Sequence, residues 1–275
     1  MSKMKKYVLY AVLSALLLGM VFLGEKAHGY AVAYEDATTE LVAVQGAEEQ
    51  AKRQLEEFAK SILGDFFVGE REVNFTAIID KQQLAQENAK IYTVYFMFLL
   101  GVVLLSFFVL TLREFTFFGS LSALISLVLG LLTPILMVTI HKEVEYIGDI
   151  VLSFESKSVI GSIGKLFESG DVVVAGVILL FSVIVPVLKV SSLLVISLFM
   201  QNDFAHTIVK FFKLIGKWSM VDVFVVAVFL VYLTANKGDI SRAEVEVGLY
   251  FFLAYVIISM LVSLSADKML YQKSK

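Results

Sequence analysis

Six stretches of this chain are each long and apolar enough to cross a lipid bilayer as a helix, and that confines the fold more than any motif does. A hydrocarbon core of about 30 Å takes about 20 helical residues at about 1.5 Å each. The runs are 7–24, 92–112, 117–139, 172–199, 219–234 and 246–265, the fifth beginning near Lys217 to gain length. With 58% hydrophobic and 18% charged residues among 275, a water-exposed globule would lack the polar surface it needs. The expectation is an all-α polytopic membrane protein with six transmembrane helices.

Charge placement orients those helices. Lys3, Lys5 and Lys6, then Arg113, then Lys210, Lys213 and Lys217, then Lys268, Lys273 and Lys275 fall on one side of a six-span arrangement, whereas 25–91, 140–171 and 235–246 carry more acid than base. Lysine and arginine mark the cytoplasmic side. Both termini are therefore expected in the cytoplasm, with the protein in a bacterial inner membrane. The first run reads either as a secretory signal or as a retained anchor. It exceeds the roughly 7–15 residues of a usual signal core, and the A-x-A-like Ala31-Val32-Ala33 lies well past its end, which favours an anchor over 1–24. The formal net charge of −3 supplies no basic field for nucleic acid, and the absence of cysteine excludes disulfides, thiol nucleophiles and cysteine-ligated zinc.

Outside the expected bilayer, 25–91 forms an acidic extracytoplasmic segment. Within it Ala47, Ala51, Leu55, Phe58 and Ile62 recur at helical steps, with Glu48/Lys52, Glu49/Arg53 and Glu56/Lys60 four residues apart and Gly64 as a stop. Such a helix serves as a spacer, or as a surface that recognises a partner. Residues 143–155 alternate in polarity and read as a half-buried strand, as do 242–247, and the two are expected to pair. Ser158–Phe167 reads as a short amphipathic helix with Val159, Ile163, Leu166 and Phe167 inward, ended by Gly170. Phe204, Ile208, Phe211, Phe212 and Ile215 oppose Lys210, Lys213 and Lys217, as in an interfacial helix with a basic face for anionic headgroups.

Chemistry-bearing motifs are few. Gly216-Lys217-Trp218-Ser219 lacks the first glycine and the preceding strand of a phosphate loop, and His28, His141 and His206 share no ligand spacing. Neither catalysis, nor a metal, nor a cofactor is called for. The informative polar residues lie inside the spans. Lys189 and Asp222 sit in otherwise apolar helices, where a charge costs at least about 2.5–3.5 kcal/mol and so faces a partner, a wet cavity or, for a long lysine, the headgroups. Ser191, Ser192, Ser219 and Ser259 are available as hydrogen-bond partners, and Pro134 and Pro186 are expected to kink their helices.

These residues resemble a known family. The stretches SVIGSIGKLFESGDVVVAGVILLFSVIVPVLKVSSLLVISL (158–198), IGKWSMVDVFVVAVFLVYL (215–233) and GLYFFLAYVIISML (248–261), with Leu132-Thr133-Pro134-Ile135-Leu136 before them, are similar to the membrane module of the paraquat-inducible protein A (PqiA/LetA) family. The G-x-W-S-M-x-D-V-F and P-x-L-K strings on successive spans carry the likeness, which covers about 117–265. The resemblance implies a four-helix module in a tetraspanin- or claudin-like arrangement with a small extracytoplasmic sheet. It further implies an envelope lipid-trafficking role in which phospholipid is loaded or received with an MCE-type partner, and an intramembrane polar network at Lys189, Ser219 and Asp222. The familiar members carry two modules and cysteine-ligated zinc ribbons, whereas this chain has one module and no cysteine.

The expected organisation is thus an anchor at 1–24, the acidic segment 25–91, an extra span and hairpin at 92–116, the module at 117–265 and a tail at 266–275. A membrane scaffold or sensor acting through 25–91 is the competing function. An ion- or proton-coupled transporter is weaker, since one lysine and one aspartate are few for a proton path.

Overall fold

The computed structural model describes residues 3–45, 71–144, 148–199 and 241–273. Two helices open the chain, α1 (Lys3–Gln45) and α2 (Arg71–Leu105), the latter followed by a 3-10 turn, Ser106–Phe108. Then come α3 (Leu112–Leu132), strands β1 (Leu136–Val144) and β2 (Gly148–Lys157), and α4 (Val159–Glu168). Helix α5 (Val172–Ile178) passes through a π-helical turn, Leu179–Ile184, into α6 (Val185–Phe199). Strand β3 (Ser241–Val245) and α7 (Val247–Lys273) complete the described chain. Five helices among the described residues are long and apolar enough to span a membrane: Met4–Val42, Ala77–Phe108, Leu112–Leu132, Val172–Leu198 and Val247–Met269. This is a multi-pass membrane protein. The run at 219–234, the amphipathic pattern at 47–62 and Lys210, Lys213 and Lys217 lie outside the described residues.

The first helix does not stop at 24. It runs unbroken for 43 residues, about 64 Å, and α2 starts about 20 residues before the apolar run at 92. Their shared seam explains this. On α1 the buried positions Leu13, Leu17, Met20, Gly24, Ala27, Ala31, Tyr34 and Thr38 alternate steps of four and three, the 3.5-residue period of a coiled coil. Ala85, Ala89, Thr93, Phe96, Leu100 and Val103 answer from α2. Because the seam continues past Glu25 on α1 and past Lys90 toward the start of α2, part of the acidic segment is a helical stalk standing on the membrane portion. Small residues line its lower part, where Ala31 and Ala89 pack with Val247, and Tyr30 stacks on Tyr92 at 5.4 Å between ring centroids.

Helices α3 and α7 form the centre of the membrane portion. Gly119 faces the Val262 side chain, and a Cβ on Gly130 would lie 2.7 Å from the Phe252 backbone nitrogen. Small residues let helix backbones approach where no hydrophobic drive distinguishes neighbour from lipid. The α1–α2 pair joins this core through Leu13, Met20, Phe96 and Leu100, and Phe96 meets Phe251 edge to face at 4.8 Å.

Helix α3 ends at Leu132, short of the expected 139. Thr133 is extended (φ −76°, ψ 143°), the conformation a following proline imposes, so Pro134 starts the path into β1 and kinks no helix. Residues 143–155, expected as one strand, hold the end of β1 and most of β2. A purely local alternation does not show where a hairpin turns. The sheet order is β2-β1-β3, so 242–247 pairs with β1, which the apolar continuity of 117–139 had concealed, and not with 143–155. In α4, Ser158 caps the N-terminus by accepting from the Gly161 amide, and Val159 and Ile163 point inward as expected. Phe167 does not, being 44% exposed; Gly170 (φ 90°) then makes the turn into α5.

Candidate functional site

Lys189 lies within the membrane portion. Counting along the helix, it is ten residues from Phe199 and 17 from Val172, or about 15 and 26 Å, well inside a hydrocarbon core of about 30 Å. Its side chain is 9% exposed, and Nζ donates to Ser259 Oγ on α7 at 3.2 Å. Ser259 in turn donates to the Val256 carbonyl at 3.0 Å. Lys189 is thus turned into the protein and not out to the headgroups. Its chain neighbour Val190 and Ile258, the neighbour of Ser259, are both fully buried, so this stretch of the α6–α7 contact lies inside the protein with the Ser259 hydroxyl in reach of the lysine. Such a donor can bind an anionic or strongly accepting group and can supply no nucleophile in its charged form.

The backbone before Lys189 is irregular for a reason. Pro186 offers no amide to the Ser182 carbonyl, and the helix meets it through the π turn of Leu179–Ile184, where the Val185 amide reaches the Leu180 carbonyl. Residues on either side of the turn differ in packing. Pro186, Lys189, Val190, Ser192, Leu193, Ile196 and Ser197 are buried, whereas among 172–184 only Ala175 is. Ser192 bonds back to the Leu188 carbonyl, and Ser191 is exposed. Ser219 and Asp222 lie outside the described residues.

Sequence reasoning missed a second polar cluster, at the lysine-rich end. Thr111 and Glu114 form a capping box on α3, with the Thr111 amide donating to Glu114 at 2.9 Å. The same carboxylate accepts from Lys6 at 3.3 Å and from the Tyr10 hydroxyl, both on α1. Next to it Arg113 donates from Nε to the Ser197 carbonyl (2.8 Å) and from Nη2 to that of Leu198 (3.0 Å), satisfying the last carbonyls of α6 from another helix. Lys6, Tyr10, Arg113 and Glu114 thereby tie the ends of three helices. The T-x-x-E spacing was the available signal.

Along α3, Thr116, Ser120, Ser122 and Ser126 are fully buried, and each hydroxyl returns to a carbonyl three or four residues back. These groups are satisfied locally and serve close packing. At the opposite end His28 Nδ1 lies 3.2 Å from Thr133 Oγ1, joining α1 to the end of α3. There Glu246, immediately before α7, is 6% exposed, and burial, reinforced by the neighbouring Glu244, pushes its carboxyl up to about 7. No group of three or more histidine and carboxylate side chains able to hold a metal occurs among the described residues.

Residues 114–274, more than half of the chain, match the family described as paraquat-inducible protein A. Over 122 residues the chain is 29% identical to a Haemophilus influenzae protein described as a probable intermembrane transport protein, a match covering 42% of this chain and 29% of that protein. The chain thus spans less than a third of that relative's length. No solved structure matches. The matched segment opens at Glu114, two residues into α3, and contains the rest of that helix, the sheet, the π turn, Lys189 and α7, while the stalk precedes it. The chain belongs to the paraquat-inducible protein A family.

Proposed function

We propose that this protein is a non-enzymatic inner-membrane component of an envelope lipid-trafficking system, which loads or receives phospholipid together with an MCE-type partner. The observation that carries the reading is Lys189, a buried lysine at membrane depth bonded to Ser259 within the family segment. A phospholipid presents an anionic phosphate on an apolar body, and a cation in hydrocarbon recognises that combination. The Haemophilus relative's description as a probable intermembrane transport protein agrees with this. Ser219 and Asp222 complete the polar set in this reading, and both termini face the cytoplasm, following the lysine-rich ends.

The test is to extract the protein with its surrounding membrane and measure co-purifying lipid by mass spectrometry beside a lipid-transfer assay. Phospholipid enriched over bulk membrane, and lost in Lys189→Ala and Asp222→Ala variants, is the expected result. No enrichment, with full transfer in both variants, sinks the proposal.

A scaffold or sensor role acting through 25–91 remains the second reading, favoured by the helical stalk on α1 and α2. If deletion of 40–70 leaves every co-purifying partner in place, that reading fails.

A further inference from the structure

Among the described residues the stalk meets the membrane module and its sheet largely through small side chains, and a buried acid lies beside that contact. Ala31 of α1 and Ala89 of α2 pack against Val247, the first residue of α7, and Tyr34 and Ala85 pack against Met137 of β1. Met137 pairs across the sheet with Ser156 of β2 and Glu244 of β3, and that row faces the stalk, with Glu35 beside Ser156 and Tyr34 beside Glu244. The preceding residue, Leu136, turns the other way into the membrane core. The sheet is therefore a layer between stalk and module.

Glu246 occupies the corner of this layer. Its amide donates to the Ile135 carbonyl at 3.1 Å, and its own carbonyl accepts from the Leu249 amide at 3.2 Å. Two residues on, the Gly248 amide donates to the Pro134 carbonyl at 2.9 Å. The backbone is thus pinned, and the side chain cannot leave the contact while β3 and α7 keep their places. The charged and titratable groups that face it are Glu35 and Tyr34 from α1, Lys90 from α2 and Glu244 from β3; Lys165 of α4 faces Glu35 in turn. Three carboxylates against one lysine and a phenol make an ionised Glu246 costly in the seated arrangement.

We propose that protonation of Glu246 governs how firmly the helical stalk seats on the membrane module, so that the contact tightens in acidic surroundings and loosens in alkaline ones. In this proposal the seated stalk, which brings Glu35 and Lys90 to the carboxyl, is what covers it. Lifting the stalk returns it to water and to ordinary acidity, so the lifted state binds fewer protons near neutrality, and a rise in pH draws the equilibrium toward it. The carboxyl held at about 7 places this transition in the neutral range. Glu246 is thereby a proton-responsive joint between the family module and the stalk that precedes it.

The chain has no cysteine, so labelling sites can be introduced freely. Nitroxides at Gln83→Cys on the stalk and Glu168→Cys at the end of α4 report the separation in the full-length protein, in nanodiscs of phosphatidylethanolamine and phosphatidylglycerol. Pulsed electron paramagnetic resonance from pH 5 to 9 is expected to show one narrow separation below about pH 6 and a growing longer population above about pH 8. Glu246→Gln is expected to hold the narrow separation throughout, and Lys90→Ala to move the midpoint upward, since Lys90 favours the ionised form. A single separation at every pH, or an unchanged pH response in Glu246→Gln, overturns the proposal. Should Glu246→Gln fail to fold, an unshifted midpoint in Lys90→Ala does so.

Discussion

A Cβ on Gly248 would run into the carbonyl oxygens of Thr133 and Pro134, backbone atoms that have nowhere to go. Its amide already donates to Pro134, so the start of α7 and the end of α3 are locked at contact distance. Gly248→Ala is expected to destabilise the protein by about 1–3 kcal/mol, as overpacking does, whereas Gly29→Ala, which meets nothing within 4 Å on a helix, is expected to gain up to about 1 kcal/mol. Thermal unfolding in detergent distinguishes the two. Lys189 follows a different logic. A methionine there removes a buried charge and leaves Ser259 bonded to Val256. On the proposed reading, Lys189→Met is expected to fail the lipid-binding assay, and the double variant Lys189→Met/Asp222→Leu, which empties the polar set without leaving a lone carboxylate, to unfold at the same or a higher temperature, because exchanging buried ions together for apolar side chains is often neutral or stabilising. A large fall in unfolding temperature would instead give Lys189 a structural role.

At the scale of elements, Arg113 holds the end of α6 and the capping box holds the start of α3. Arg113→Gln shortens the fork and gives up its bonds to the part-buried Ser197 and exposed Leu198 carbonyls, a loss of about 1 kcal/mol read locally as faster amide exchange over 190–199. Exchange confined to its present rate would refute the role. This contact shows why parts of the structure were illegible in the sequence. Every residue has a carbonyl, so no pattern announces which two an arginine 84 positions away will find. Lys189 was legible because a charge in an apolar run is conspicuous, and Ser259 stood among the candidate hydroxyls, but their pairing spans 70 residues and is set by helix packing. The heptad on α1 was present too. It went unread because Leu, Val and Phe on the lipid side fill the intervening positions, so the buried stripe has no polar contrast until Glu25. Strand β1 was lost in the same way, its apolar residues continuing those of α3, although Pro134 marked the boundary. Where one face meets water contrast returns, and β2, β3 and α4 were found.

On the scale of the whole molecule, the chain combines the family's membrane module with an α1–α2 unit that enters the bilayer beside it and leaves it as the stalk. The two units meet in the bilayer through large apolar side chains and above it through alanines. Ala31→Leu is expected to separate the stalk from α7 without disturbing Leu13, Met20 and Phe96 below, so that labels on the stalk become mobile while the unfolding temperature of the module changes little. Equal loss in both would show one cooperative unit. The alternation of fours and threes along α1 has a further consequence for length. From Glu25 to Gln45 the helix climbs about 30 Å, and the tip can be raised only in whole repeats of seven residues, about 10 Å each, without turning its face. Adding three or four residues to each helix breaks the repeat and swings the tip around the axis. The stalk therefore behaves as a graduated ruler, fixing both the height and the compass bearing at which whatever lies above the membrane is presented.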